Sequence, residues 1–167
     1  MIKTTLSSSL GKLLLKNKQT LAVAESCTGG LLSHWITETP GSSNYFIGGI
    51  ISYSNTVKHE QLGIDRAVIK KQGAVSPQVA TLMAKNVRQL LKADYGIGIT
   101  GIAGPDGGSK LKPVGLIYIA VAGKRKIFCK KFQFFGTRSE IKSRAAHKAL
   151  DLLKLELLKT GKIKYSA

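Results

Sequence analysis

The sequence predicts an α/β fold, a three-layer α/β/α sandwich built around a mixed β-sheet. Three observations carry that expectation. Short runs rich in apolar and β-branched residues alternate with stretches of helical period through most of the chain. Late in the sequence, two apolar runs at 114–122 and 126–135 are joined by a tight turn at Gly123-Lys124, which makes them antiparallel neighbours. The connections between the earlier elements are rich in glycine, serine and proline, the punctuation of strand-to-helix turns.

Each element has its own signal. Leu6, Leu10, Leu13 and Leu14 fall at i, i+4, i+7 and i+8, the stripe of an amphipathic first helix. Thr20 to Ala24 reads as a short buried strand, followed by a helix from Gly29 to Thr37 that the TPG at 39–41 ends. FIGGIISYS at 46–54 is a strand whose glycines point to close backbone approach, and a short helix from Asn55 to Leu62 follows it. Ser76-Pro77 opens the clearest helix, with serine as N-cap and proline at the first helical position. Its stripe of Val79, Leu82, Met83, Val87, Leu90 and Leu91 is core packing. YGIGIT at 95–100 is a strand, and the hairpin described above comes next. A last helix over 138–158 presents Ala146, Ala149, Leu150, Leu153 and Leu157 on one face.

Composition bounds the function. The 167 residues suit a single domain spanning 1–167, with no internal repeat or linker to divide it. At 43% apolar and 21% charged, the chain belongs to neither the disordered nor the fibrous class. No apolar run approaches the roughly 20 residues of a membrane span. The start, MIKTTLSSSLGKLLLKNK, lacks the apolar core and cleavage site of a secretory signal. Cys27 and Cys129 show neither disulfide nor metal spacing, and His34, His59 and His147 are scattered. The expectation is a cytoplasmic protein with no metal site. The net charge of +17, from 26 basic and 9 acidic residues, raises the question of nucleic acid. The lysines are dispersed, however, with no zinc finger, RNP-like pattern or helix-turn-helix around them, so nucleic-acid binding is not expected. The charge also suits an anionic small substrate.

Sites in such folds gather at the carboxyl ends of strands. Three loops qualify here: AESCTGG at 24–30, SYSNTVK at 52–58 and TGIAGPDGG at 100–108. The last follows GIGITG, whose Gly96, Gly98 and Gly101 match a dinucleotide fingerprint by accident, because two of them lie within the strand. In AESCTGG, the N–H groups of Thr28, Gly29 and Gly30 are expected to point into the site as oxyanion donors, and Thr28 can equally serve as a helix N-cap. Ser26 or Cys27 would sit beside those donors as nucleophile. A cysteine calls for a histidine or a positive neighbour, and a serine for a base. Lys58 is a candidate base if Asn55 caps the helix, since the positive end of the helix dipole would disfavour its ammonium form. Tyr53 is placed to bridge or relay a proton. Spacing alone leaves both nucleophiles open, and is equally compatible with a solvated Lys58.

Longer motifs narrow the choice. AESCTGG, GSSNYFIGGIISYSNTVKHEQLGI from 41, GAVS at 73–76, TGIAGPDGG, and KPVG at 112–115 occur in order. Together they closely resemble the CinA C-terminal domain family, over residues 20–122. The single-domain, PncC-type members of that family are nicotinamide-nucleotide amidases, so the resemblance implies a CinA-type α/β/α fold. It also implies hydrolysis of the carboxamide of nicotinamide mononucleotide, giving nicotinate mononucleotide and ammonia without a cofactor. It puts the nucleophile on Ser26, the lysine on Lys58 and the tyrosine on Tyr53. Thr28, Gly29, Gly30, Ser43, Thr100, Gly101, Ala103, Gly104 and Arg138 become the implied oxyanion and substrate-binding positions. A homo-oligomer is expected, and neither a nucleic-acid nor a membrane partner.

The sequence departs from the family pattern at FGTRSEIK, 135–142, where the family commonly has Gly-Asp-Arg followed by another arginine. Thr137 replaces the acid and Lys142 stands at the later basic position, which would cost the bidentate grip of arginine on a phosphate. The molybdopterin-binding-like domain of longer members has no counterpart in these residues, and its activity is not expected from them. The alternative reading is a non-catalytic nucleotide- or DNA-binding module.

Overall fold

A computed structural model describes residues 2–163, with side chains described for 6–159. The elements run α1 (Ile2–Lys16), β1 (Leu21–Glu25), α2 (Leu31–Thr37), a 3-10 turn (Ser42–Asn44) and β2 (Phe46–Ile51). Then come α3 (Asn55–Glu60), α4 (Arg66–Gln72), α5 (Pro77–Leu90), β3 (Tyr95–Gly101), β4 (Leu116–Ala122), β5 (Ile127–Gln133) and α6 (Arg138–Ile163). The five strands form one sheet in the order β2-β1-β3-β4-β5. β1 runs parallel to both β2 and β3, while β4 is antiparallel to β3 and to β5, so the sheet is mixed as expected. Among the described residues no helix is long and apolar enough to cross a membrane.

Helices cover both faces. On one, α1, α2 and α6 enclose a core of Leu10, Leu14, Leu32, Trp35, Ile36, Leu150, Leu153 and Leu157 against Leu21, Val23, Ile97, Ile99 and Ile119 of the sheet. On the other, α5 packs Val79, Met83 and Val87 over Ala22 and Ala24, with Leu62, Ile64 and Ile69 beside them. Each such side chain taken fully from water stabilises the fold by about 1.5–3 kcal/mol. β1 and β3 are buried on both faces, which explains their continuously apolar runs.

The glycines of GIGITG belong to this packing. A Cβ on Gly96 or Gly98 would collide with backbone atoms of Ala80 and Ala84 on α5, so both glycines let that helix lie close to β3. Two elements escape the sequence signals: α4, which Asp65 caps by accepting from the Ala67 N–H at 2.8 Å, and the 3-10 turn before β2. The helix after β2 is capped by Ser54, which accepts from the Val57 N–H at 3.1 Å, and not by Asn55. α2 begins at Leu31 with Gly30 at its N-cap in a left-handed conformation (φ 93°), so Thr28 is not its cap.

Candidate active site

Because β1, β2 and β3 are parallel and adjacent, their carboxyl ends share one rim of the sheet and the three loops leaving them converge there. Two backbone bonds fix the convergence. The Ser26 N–H donates to the Ile99 carbonyl at 3.0 Å, and the Ser52 N–H donates to the Glu25 carbonyl at 2.7 Å.

At the centre, Lys58 Nζ lies 3.0 Å from Ser26 Oγ. The lysine reaches it from α3 across the end of β1, and it is 1% exposed. Nζ also donates to the Ser52 carbonyl at 2.6 Å and the Tyr53 carbonyl at 3.4 Å. Burial pushes its pKa down from 10.5 to about 8, opposed in part by the nearby Cys27. Removal from water, more than the start of a helix, is what depresses it: Lys58 is the fourth residue of a six-residue helix, and its amine is turned to the Ser52 and Tyr53 carbonyls. The three contacts fit a neutral amine, two N–H groups on carbonyls and a lone pair accepting from the Ser26 hydroxyl.

Cys27 takes a different environment. It is buried in the core cluster, and burial drives its thiol up to about 12, a shift only partly offset by its own backbone N–H and by Lys58. A thiol held protonated beside aliphatic side chains is a packing residue. Of the two candidate nucleophiles, only Ser26 faces a base.

The donors of the turn are arranged differently from expectation. Glu25, fully buried, accepts from the N–H groups of Gly30 (3.0 Å), Leu32 (3.1 Å) and Ser33 (2.8 Å), and from the Ser33 hydroxyl (2.7 Å). The Gly29 N–H closes a turn onto the Ser26 carbonyl at 3.1 Å. Gly29 and Gly30 are therefore not free oxyanion donors. The carboxylate satisfies the orphan donors at the start of α2, which polar N-terminal groups otherwise leave to a ligand. Thr28 keeps its backbone N–H, which has no acceptor among the described residues, and its buried Oγ1 has no partner there either. Glu25 escaped the sequence reading because an acid closing an apolar strand resembles an ordinary exposed strand end. Its place five residues before a glycine-started helix was the available signal.

Tyr53 is 60% exposed and meets Lys58 through its carbonyl, while its hydroxyl accepts from Arg138 Nη2 at 2.8 Å. Arg138 Nη1 donates to the Gly104 carbonyl at 2.5 Å, so one guanidinium braces two of the three loops. Lys142, one turn further along α6, brings Nζ to Gly29, 3.6 Å from where a Cβ would stand. Thr137 replaces the family acid for a reason internal to the helix. Its N–H and hydroxyl donate to Glu140 Oε2 at 2.7 and 2.8 Å, and the Glu140 N–H returns to Thr137 Oγ1 at 3.4 Å, a capping box at the start of α6.

The remaining positions divide. Thr100 spends its hydroxyl on the Ala74 carbonyl at 2.8 Å, tying the loop before α5 to β3. Gly101 pairs with Ile117, and a Cβ there would stand 2.6 Å from the Leu116 carbonyl oxygen. Ala103 is buried, and Gly104 turns the chain with φ 78° beneath Arg138. Ser43 is not brought to this rim. It lies in the 3-10 turn that enters β2, at the opposite end of the strand from Ser26, roughly 15–20 Å away at 3.3 Å per strand residue. A groove of about 670 Å³ between α4 and α5, walled by Ala67, Val68, Pro77 and Leu82, contains none of these residues.

Comparison with known proteins gives a consistent result. The family model of the CinA C-terminal domain matches residues 3–157. A CinA-like protein of Endomicrobium trichonymphae is 48% identical over 154 residues, covering 92% of this chain and 36% of that protein. The chain thus spans about a third of the length of the curated relatives it matches. Among solved structures, the competence/damage inducible protein CihA from Agrobacterium tumefaciens superposes with a TM-score of 0.90 at 32% identity, covering 93% of this chain and 94% of that one. A CinA superfamily protein from Enterobacter cloacae gives 0.89 at 30% identity, covering 93% and 92%.

Proposed function

The chain belongs to the CinA C-terminal domain family, and from that premise we propose that it is a nicotinamide-nucleotide amidase. The reaction is hydrolysis of the carboxamide of nicotinamide mononucleotide to nicotinate mononucleotide and ammonia. The observation that carries this reading is the buried Lys58 amine at 3.0 Å from the Ser26 hydroxyl.

Neutral Lys58 takes the Ser26 proton as Oγ attacks the amide carbon. The oxyanion that forms is stabilised by the unspent Thr28 N–H, and removing such a donor typically costs roughly 2.7–4 kcal/mol of transition-state stabilisation. As the tetrahedral intermediate collapses, the C–N bond breaks and ammonia leaves with the proton that Lys58 holds. The Tyr53 hydroxyl, which accepts from Arg138, keeps its own proton to donate toward the leaving group. Water, deprotonated by the same lysine, then attacks the acyl-enzyme and restores Ser26 as the carboxylate departs.

The start of α2 is occupied by Glu25, so the substrate phosphate must be met elsewhere. Lys142, beside Gly29, is the candidate contact, with Arg138 positioning the loops. Lysine gives a point charge in place of arginine's fork, which predicts weaker phosphate binding but unaltered chemistry. The reading places the enzyme in the cytoplasm, where its free thiols, Cys27 and Cys129, suit reducing conditions.

The test is direct. Purified protein incubated with nicotinamide mononucleotide is expected to release ammonia and nicotinate mononucleotide in equal amounts, identified by mass. No product above the enzyme-free control, together with salt-sensitive binding to duplex DNA, would replace this reading with the non-catalytic one.

A further inference from the structure

β2 forms one edge of the sheet, paired only with β1. The Ser52 N–H faces β1, donating to the Glu25 carbonyl, so by the alternation of a parallel ladder the N–H and C=O groups of Gly49 and Ile51 face outward. None of them has a partner among the described residues. The side chains of Ile47 and Ile51 on this strand are about half exposed. Edges of this kind are usually guarded by charge or proline. The opposite edge, β5, carries Lys130 and Lys131, but residues 39–57 contain no charged side chain in a chain of net charge +17.

That asymmetry identifies an occupant. A second copy of so basic a chain would meet lysine against lysine at β5, whereas at β2 it meets an uncharged, glycine-centred strand identical to itself. We infer that β2 pairs antiparallel with β2 of a second copy about a two-fold axis near Gly49, and that each copy thereby lends its Ser43 segment to the Tyr53 loop of the other. With the axis at Gly49, Ile47 of one copy stands opposite Ile51 of its partner, and the glycine on the axis leaves room for the backbones to approach. The Ser43 placement does not depend on exact register. Any antiparallel pairing along β2 sets the entry of one strand beside the exit of the other, and Ser43 precedes β2 while Tyr53 follows it. This supplies in trans the residue that the single chain holds at the wrong end of the sheet. The Ser43 part rests on the amidase reading, and the pairing itself does not.

Two experiments test this. Sedimentation of the purified chain is expected to show a dimer, and a double variant Ile47→Lys, Ile51→Lys is expected to be monomeric with unchanged far-ultraviolet dichroism. A monomeric parent chain, its edge left for some unrelated strand, or a dimer indifferent to the two lysines, would overturn the pairing. Ser26→Ala and Ser43→Trp chains are each expected to be inactive dimers. Exchanged in equal amounts, they are expected to recover about a quarter of the parent rate, because half the random dimers carry one intact site. Full activity of Ser43→Trp alone, or no recovery on mixing, would overturn the contribution in trans. A dimer that releases no ammonia in any form would instead count against the amidase reading and leave the interface standing.

Discussion

The Lys58 amine and the Ser26 hydroxyl are 3.0 Å apart at the carboxyl end of β1, with the lysine side chain almost wholly out of water. An amine so placed favours its neutral form, because burial penalises the ammonium and no carboxylate bonds to it. That preference is what turns an ordinary hydroxyl into a nucleophile near neutral pH.

The first prediction concerns pH. With Lys58 titrating at about 8, roughly a tenth of the enzyme carries the free amine at pH 7, so kcat/KM should rise nearly tenfold per unit below pH 8 and flatten above it. Initial rates of ammonia release from pH 6 to 10 give the profile. A flat profile through pH 8 would mean that another group is the base.

The same burial has a cost in stability. Between pH 8 and 10.5 the unfolded chain holds a proton on Lys58 that the folded chain has lost, so stability rises with pH through that window. Below it the buried ammonium costs up to about 3 kcal/mol. Lys58→Met should therefore be inactive, yet melt higher than the parent at pH 7. Its advantage should fade as the pH approaches 10.5, and thermal melts at several pH values would show it.

Cys27 should be dispensable for chemistry. Its thiol, raised to about 12 by burial, supplies no thiolate, so Cys27→Ala is expected to keep turnover within about threefold while losing about 1 kcal/mol of packing. Steady-state rates and denaturant unfolding of the variant measure the two effects separately.

Glu25 is expected to act through the turn it holds. Glu25→Gln replaces a four-bond acceptor with an amide that turns an NH2 group toward backbone donors. Urea unfolding should show a loss of about 2–3 kcal/mol. The surviving folded fraction should have a lowered kcat with KM little changed, since the carboxylate positions Thr28 and Ser26 and does not meet the substrate.

Much of this molecule could be read before its structure, for physical reasons that differ by element. β1 and β3 announce themselves because strands buried on both faces are continuously apolar, and α5 because its cap and its stripe agree. α4 was passed over: RAVIKKQ is short, and only the Asp65 cap and the following Gly73 mark its ends. Ser26, Lys58 and Tyr53 stand out through motifs, but the state of Lys58 does not, since nothing local tells a solvated lysine from one folded across a strand end. The roles of Gly30 and Glu25 were invisible for a similar reason. Which carboxylate meets which helix start is decided by the turn between them, and the sequence shows only their spacing.

The measurement closest to the central claim is ammonia release from nicotinamide mononucleotide by the Ser26→Ala protein. The fold should be unchanged, since the removed hydroxyl bonds only to Lys58, and turnover should fall by about a thousandfold or more. A variant that folds normally and still turns over within about tenfold of the parent would contradict the assignment of Ser26 as nucleophile.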